Sequence, residues 1–226
     1  MQMGNAAAAN GVAIQYCMSH SRHMLASAEI PAVTQARASG DYHPGGDQWQ
    51  QVGTTALFAH AIGIAPSKDN YWSTPLQLGS KWGPTTKEPY NRLQAAVITL
   101  TKGPVCPSDK VGKSDVPLIM RSAMSDGRLL QPGSPAKQID AAFVAAAFPE
   151  FKGLPAQGEV WFGESMIDTR RYGVVFTARL RTSFDLVPAL LGYGAGADLV
   201  AVETNATTTP QAFGASAPIG LKACEK

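Results

Sequence analysis

Arg37, Asp41, Tyr42 and His43 stand close together in the stretch QARASGDYHPGGDQW, residues 35–49, which follows the apolar residues 30–33. Charged groups such as these, together with the aromatic rings of Tyr42, Trp72 and Trp82, suit a sugar. Hydroxyls take bidentate bonds from charged partners, aromatic faces carry the apolar side of the ring, and a carboxylate does acid and base work at a glycosidic bond. The same Arg37 and Asp41 also suit a structural ion pair that ties down the turn.

Short apolar strands alternating with longer amphipathic stretches must position these residues. That alternation, the pattern of β/α units and a parallel sheet, runs from about residue 12 to 125. VAIQYC (12–17) reads as a strand, RHMLASAE (22–29) as a short helix, residues 32–35 as the next strand and residues 49–60 as a helix. Residues 62–65 read as a third strand, ending in the long loop PSKDNYWSTPLQLGSKWGPTTKEP. A structureless connection of that length in a compact domain usually serves function. YNRLQAAVITL (90–100) has helical spacing at Leu93, Val97 and Leu100. Residues 104–107 form a fourth strand, and Ser114 is a candidate cap for a helix running to about Met124.

Loops that follow the strands of a parallel sheet gather on one face, where α/β barrels keep their chemistry. Here they supply Ser19, His20 and His23, then Arg37 to His43, then Ser67 to Trp72, then Ser108 to Lys110. Asp69, Trp72, Asp109 and Lys110 thereby join Arg37 and Tyr42 as candidate substrate contacts. Trp72 and Trp82 either stack on a sugar or anchor their loop, and Asp109 with Lys110 is either a solvated pair or a substrate contact. Cys17, His20 and His23 read as ordinary polar residues of a barrel end rather than metal ligands, so no metal is expected. No serine or cysteine stands in a nucleophile elbow.

After Asp126 and Gly127, segments 159–162, 172–179, 184–187 and 199–203 are β-rich and separated by Gly, Pro and Thr turns, a pattern of antiparallel sheet. The expected domains are therefore residues 1–125 and 126–226. GYGAG (192–196) opens no clear helix and carries no P-loop lysine, so it reads as a tight turn. Asn205, Ala206 and Thr207 form a glycosylation sequon that matters only in a secreted protein.

Composition narrows the partners. A formal charge of +2, from 19 basic and 17 acidic residues mixed along the chain, leaves no basic stripe for nucleic acid or anionic lipid. No apolar run reaches the length of a membrane span, and MQMGNAAAANG lacks the features of a signal peptide. The chain reads as soluble, with cytoplasmic and secreted locations both open. Three cysteines, far apart and without a C-x-x-C, make no disulfide framework. Apolar residues at 45% are enough for a proper core.

QYCMSHSRHMLASAEIPAVTQARASGDYHP resembles a segment of raffinose synthases and related family 36 α-galactosidases, in which a CMS strand precedes an arginine-alanine-serine-aspartate-aspartate motif. PSDKVGKSDVPLIMRSAMSDGRLLQPGSPA resembles their serine-aspartate-lysine-proline-glycine turn, the helix after it and the entry to the C-terminal β domain. APSKDNYW sits where that family has a proline-aspartate-tryptophan-aspartate loop. The resemblance covers roughly residues 12 to 145. It implies a retaining mechanism on a (β/α)8 barrel, with one aspartate as nucleophile and a second as general acid/base in the loop that begins at Arg37. The chain departs from the family in having Gly40 and Asp41 where two aspartates stand. If the family's acid is the second of the pair, Asp41 keeps it, and if it is the first, Gly40 has deleted it; a spacing of four from the arginine, resembling that of more distant α-galactosidases, favours Asp41.

The implied fold is α/β, the C-terminal half of a (β/α)8 TIM-type barrel followed by an antiparallel β-sandwich domain. A barrel needs eight strands and this sequence supplies about four. The nucleophile strand would precede residue 12. The expectation is then a part of a longer enzyme, a chain that pairs with another copy or another chain to close the barrel, or a sugar-binding protein without catalysis. The partner is an oligosaccharide or galactoside, and no metal or organic cofactor is implied.

Overall fold

The computed structural model describes residues 2–46, 52–148, 158–194, 196–197, 199–203 and 209–224. The sequon at Asn205 and residues 49–51, expected to begin a helix, lie outside the described residues. The chain divides into two compact units, residues 1–137 with 163–174, and residues 138–162 with 175–226.

The first unit is built on a parallel sheet of β1 (Ile14–Tyr16), β2 (Val33–Arg37) and β3 (Ala65–Ser67), adjacent in chain order. Gln15 pairs with Gln35 and Gln35 with Ala65, while Arg37 pairs with Ser67. The connections run through α2 (Ser21–Ala26) and α3 (Val52–Ala61), and α1 (Gln2–Ala9) precedes β1. Side chains alternate across a strand, so Tyr16 and Ala36 share one face and Gln15, Gln35, Arg37 and Ser67 share the other. The first face packs with Met24, Phe58, Ala59, Ile62 and Ile64 into an apolar core. The second is polar, and Gln15 Nε2 donates to Ser67 Oγ across β2 at 2.9 Å.

The third strand begins three residues later than expected, at Ala65 instead of Ile62. Ile62 and Gly63 are used instead to end α3. The Ile64 amide donates to the Ala59 carbonyl (3.1 Å) and the Gly63 amide to the His60 carbonyl (3.0 Å), with Gly63 at φ +86°. This is a Schellman cap, whose left-handed position glycine fills without a Cβ penalty, and Ile64 then packs in the same core as Ala59.

Residues 104–107, expected to form a fourth strand, make only a single parallel bridge, between Tyr71 and Pro107. The Tyr71 amide donates to Cys106 and the Ser108 amide to the Tyr71 carbonyl. The parallel direction therefore continues past β3 without a full ladder, because Pro104 and Pro107 have no N–H to give. The helix Tyr90–Leu100 is observed as α4 (Asn91–Leu100). Its successor α5 spans only Val116–Met120, and Asp115, not Ser114, caps it through the Leu118 amide at 3.0 Å. A second core gathers Tyr42, Tyr71, Trp72, Ala95, Ile98 and Leu118.

The second unit contains α6 (Asp140–Ala147), a helix the β-rich reading of this half did not anticipate. Its DAAFVAAA sequence is rich in the strongest helix former. Strands β4 (Lys137–Gln138), β5 (Glu159–Ile167) and β6 (Arg170–Ala178) follow one another in a sheet, and β5 and β6 each pass from one unit into the other. β7 (Phe184–Leu186) pairs antiparallel with β10 (Ile219–Leu221), and β8 (Leu199–Ala201) with β9 (Gln211–Phe213). Ile139, Ala142, Val160, Leu180, Leu186, Leu191 and Phe213 form the core of this unit. Among the described residues the fold is thus mixed α/β with small sheets, none closed into a barrel, and no helix is long and apolar enough to cross a membrane.

Gly103 presses its backbone against β3. A Cβ there would overlap the Ser67 side chain and sit 2.5 Å from Ser67 Cα and 2.9 Å from the Pro66 carbonyl oxygen. Gly103→Ala is expected to destabilise the protein by about 2 kcal/mol. Gly214→Ala, where a Cβ meets nothing within 4 Å, should change stability by less than ~0.5 kcal/mol. Urea denaturation of both variants checks this, and equal midpoints would refute the packing account.

Candidate functional site

The C-terminal end of β2 delivers Arg37, and the chain then turns through two buried residues, Ala38 and Ser39. The Ala38 amide donates to the Ser67 carbonyl (2.7 Å) and the Asp69 amide to Ser39 Oγ (2.8 Å), so the loops after β2 and β3 are tied from their first residues. Arg37 lies between two carboxylates, its Nη2 2.6 Å from Asp41 and its Nη1 3.5 Å from Asp69. The side chains are 10% exposed in Arg37, 62% in Asp41 and 20% in Asp69. Asp41 is therefore the carboxylate that opens to solvent, held from behind by a nearly buried cation.

Tyr42 closes the loop from the other side. Its amide donates to Asp69 Oδ2 at 2.7 Å, and its hydroxyl donates to Glu88 Oε2 at 2.8 Å while accepting the Trp72 amide at 3.2 Å. Glu88 is fully buried, and it also accepts the amides of Gly45 (3.1 Å) and Tyr90 (2.9 Å). Lys68, 2% exposed, sends its ammonium to the carbonyls of Asp69 (3.1 Å) and Asn70 (2.9 Å), and lies 5.1 Å from the centre of the Tyr42 ring. Burial pulls the Lys68 ammonium down from its ordinary 10.5 to about 8, against the opposite pull of Asp69 and Glu88. Burial, and next the charge of Glu88, pushes the Tyr42 phenol up. Tyr71, whose buried hydroxyl has no hydrogen-bond partner among the described residues, is pushed to about 12 by burial and by Asp109 and Asp115.

A second cluster surrounds Asp109. Its Oδ1 accepts the Ser73 amide (2.8 Å) and Gln77 Nε2 (2.7 Å), and its Oδ2 accepts the Ser73 hydroxyl (2.5 Å). Ser73 Oγ in turn accepts the Asp115 amide (2.7 Å), and Gln77 Oε1 accepts the Lys110 amide (2.9 Å). Both oxygens of Asp109 thus serve to join the long loop to the segment that leads into α5. Its neighbour Lys110 is exposed.

Of the residues singled out from sequence, Arg37, Asp41, Tyr42 and Asp69 come together, and Trp72 lies beneath them. Trp72 is 4% exposed and meets Tyr42 edge-on, ring centroids 6.3 Å apart, so it anchors the loop and offers no open face to a ring. Trp82 is partly exposed, with the His43 ring 4.3 Å from its own and the Lys81 ammonium 4.6 Å away. His23 Nδ1 accepts the His20 amide at the start of α2, a capping contact. Ser73, Gln77 and Glu88 have no motif to mark them, and the length of their loop is their only signal; Lys68 lies in the strand-end segment Ser67 to Trp72, but nothing there singles it out from its neighbours. Among the described residues no group of three or more His, Cys, Asp or Glu side chains is arranged to hold a metal. No protein-family model matches this sequence, and no curated protein matches it.

Stability against pH reports on the buried charges. Between about pH 8 and 10 the unfolded chain keeps the Lys68 proton that the folded protein has released, so stability rises by up to ~1.4 kcal/mol per pH unit. Above about pH 10 the unfolded tyrosines ionise while folded Tyr42 and Tyr71 keep their protons, and stability falls. Urea denaturation across this range is expected to show the rise in the parent protein and its loss in Lys68→Met. Equal slopes in the two proteins would refute it.

Proposed function

We propose that this chain carries the acid/base side of a carbohydrate-active site that acts on α-galactoside-type bonds, by retaining hydrolysis or by galactosyl transfer. The proposed frame is the C-terminal half of a (β/α)8 barrel followed by a β-sandwich domain. Three parallel strands adjacent in chain order, with helices in their connections, support the first part. The antiparallel pairs β7–β10 and β8–β9 support the second.

The observation that carries the function is Asp41, open to solvent at the C-terminal end of a parallel strand and held 2.6 Å from a nearly buried Arg37. A general acid needs a carboxyl that reaches the substrate in one orientation, and the Arg37 contact supplies the orientation. Asp41 protonates the leaving glycosidic oxygen, then takes the proton of the acceptor, water in hydrolysis or a sugar hydroxyl in transfer. A retaining enzyme places the nucleophile carboxylate about 5–5.5 Å from this group. That second role is not assigned to a residue of this sequence; both oxygens of Asp69 already accept bonds, from Asn70 and Tyr42. Arg37, Tyr42 and Asp69 shape the floor of the site, and Trp82, against the His43 ring of the same loop, lies partly exposed beside it. No metal or organic cofactor takes part.

A second reading is a sugar-binding surface without turnover. It is favoured by the engagement of Asp41 Oδ1 with Arg37, which leaves one carboxylate oxygen for a ligand hydroxyl.

The natural protein that contains this sequence, assayed with an aryl α-galactoside, separates the two. Glycosidase function predicts release of the aryl group and a fall in kcat of about a hundredfold or more in Asp41→Asn. Galactoside binding, measured by calorimetry, should survive in that variant. Heat of binding without aryl release establishes the second reading, and undiminished kcat in Asp41→Asn removes Asp41 from the mechanism.

A further inference from the structure

Glu88 lies outside every motif of the sequence, yet its carboxylate accepts bonds from four donors. Tyr42 Oη, the Gly45 amide and Gln94 Nε2 (3.4 Å) reach Oε2, and the Tyr90 amide reaches Oε1. Two of these belong to the loop that carries Asp41, and two to the start of α4. Every partner is a donor, so only an acceptor with no hydrogen of its own satisfies them all, and the carboxylate is that group. Full burial keeps Glu88 from any substrate, so it acts through other residues.

We propose that Glu88 is a positioning residue for Asp41. The route runs through Tyr42, which is pinned at both ends. Its amide bonds to Asp69, the second carboxylate beside Arg37, and its hydroxyl bonds to Glu88. Asp41 is the residue just before Tyr42, so fixing Tyr42 fixes the Asp41 backbone although its side chain is 62% exposed. The Gly45 bond holds the far side of the same turn, where Gly45 sits at φ +72°. A methionine at position 88 keeps much of the shape but has neither carboxylate oxygen, which leaves the Gly45 amide and the Tyr42 phenol without their acceptor and frees the turn.

This role rests on the glycosidase function proposed above, and its test carries one readout that needs no turnover. Glu88→Met, Tyr42→Phe and the double variant are compared with the parent protein. Amide exchange at Tyr42 and Gly45 is expected to rise about tenfold in Glu88→Met, while exchange in α3 and β5 stays as in the parent. In turnover, kcat is expected to fall about tenfold with KM within about twofold, since orientation of the acid matters in the transition state and not in binding. The double variant should lose no more than the worse single variant, as expected of one coupled path. Unchanged exchange at Tyr42 and Gly45, exchange raised throughout the unit, or additive kcat losses overturns the proposal. If the parent protein turns over no galactoside, the glycosidase function fails by itself, and the exchange pattern still decides whether Glu88 holds the turn.

Discussion

A carboxylate taken fully out of water is tolerated only when donors surround it, and Glu88 imposes that demand on the loops around it. Removing an ion from water costs on the order of several kcal/mol even after relaxation, so the surrounding backbone must bring its donors to one point. Lys68 makes the complementary demand, for acceptors, and meets it with the carbonyls of Asp69 and Asn70 and the face of Tyr42. Tyr42 stands against both buried charges. The paths of residues 40–46 and 68–73 follow from these needs more than from any regular hydrogen-bond ladder.

The charged groups that chemistry can use are arranged on top of that buried layer. Arg37 ends β2 on the polar face of the sheet, in register with Ser67 on β3. Its guanidinium then faces Asp69 from one loop and Asp41 from the other. The preference of arginine for planar, multiple contacts lets one side chain hold two carboxylates of different exposure. The outcome is one carboxylate open to solvent and one committed to the loop. Asp109 shows the same division of labour, because a conspicuous acidic residue just after the Tyr71–Pro107 bridge serves there to tie Ser73 and Gln77.

Local signals were legible where a single mechanism controlled them. The apolar spacing of Leu93, Val97 and Leu100 marks α4 to within a residue. The apolar runs around Ile14 and Val33 mark β1 and β2. Legibility failed where two local mechanisms competed for the same residues. Ile62 and Gly63 look like the start of a strand, yet a glycine after a helical stretch closes the helix first. Ser114 and Asp115 are both good caps, and only the second is placed to accept the Leu118 amide, because its own amide is held by Ser73. The apolar run of α6 carries no polar face, and periodicity has nothing to register there.

The sequence by itself determined the alternation of strand and helix through residue 100 and the placing of Arg37, Asp41, Tyr42 and Asp69 at or just after the ends of strands. These follow from spacing and from turn chemistry, which act over a few residues. Only the tertiary structure decided that Trp72 is an anchor, that Asp109 is a tie between loops, and that Glu88, 46 residues from Tyr42, holds the turn that presents Asp41. Those roles depend on which groups lose water together, and desolvation is set by neighbours in space that no local pattern along the chain encodes.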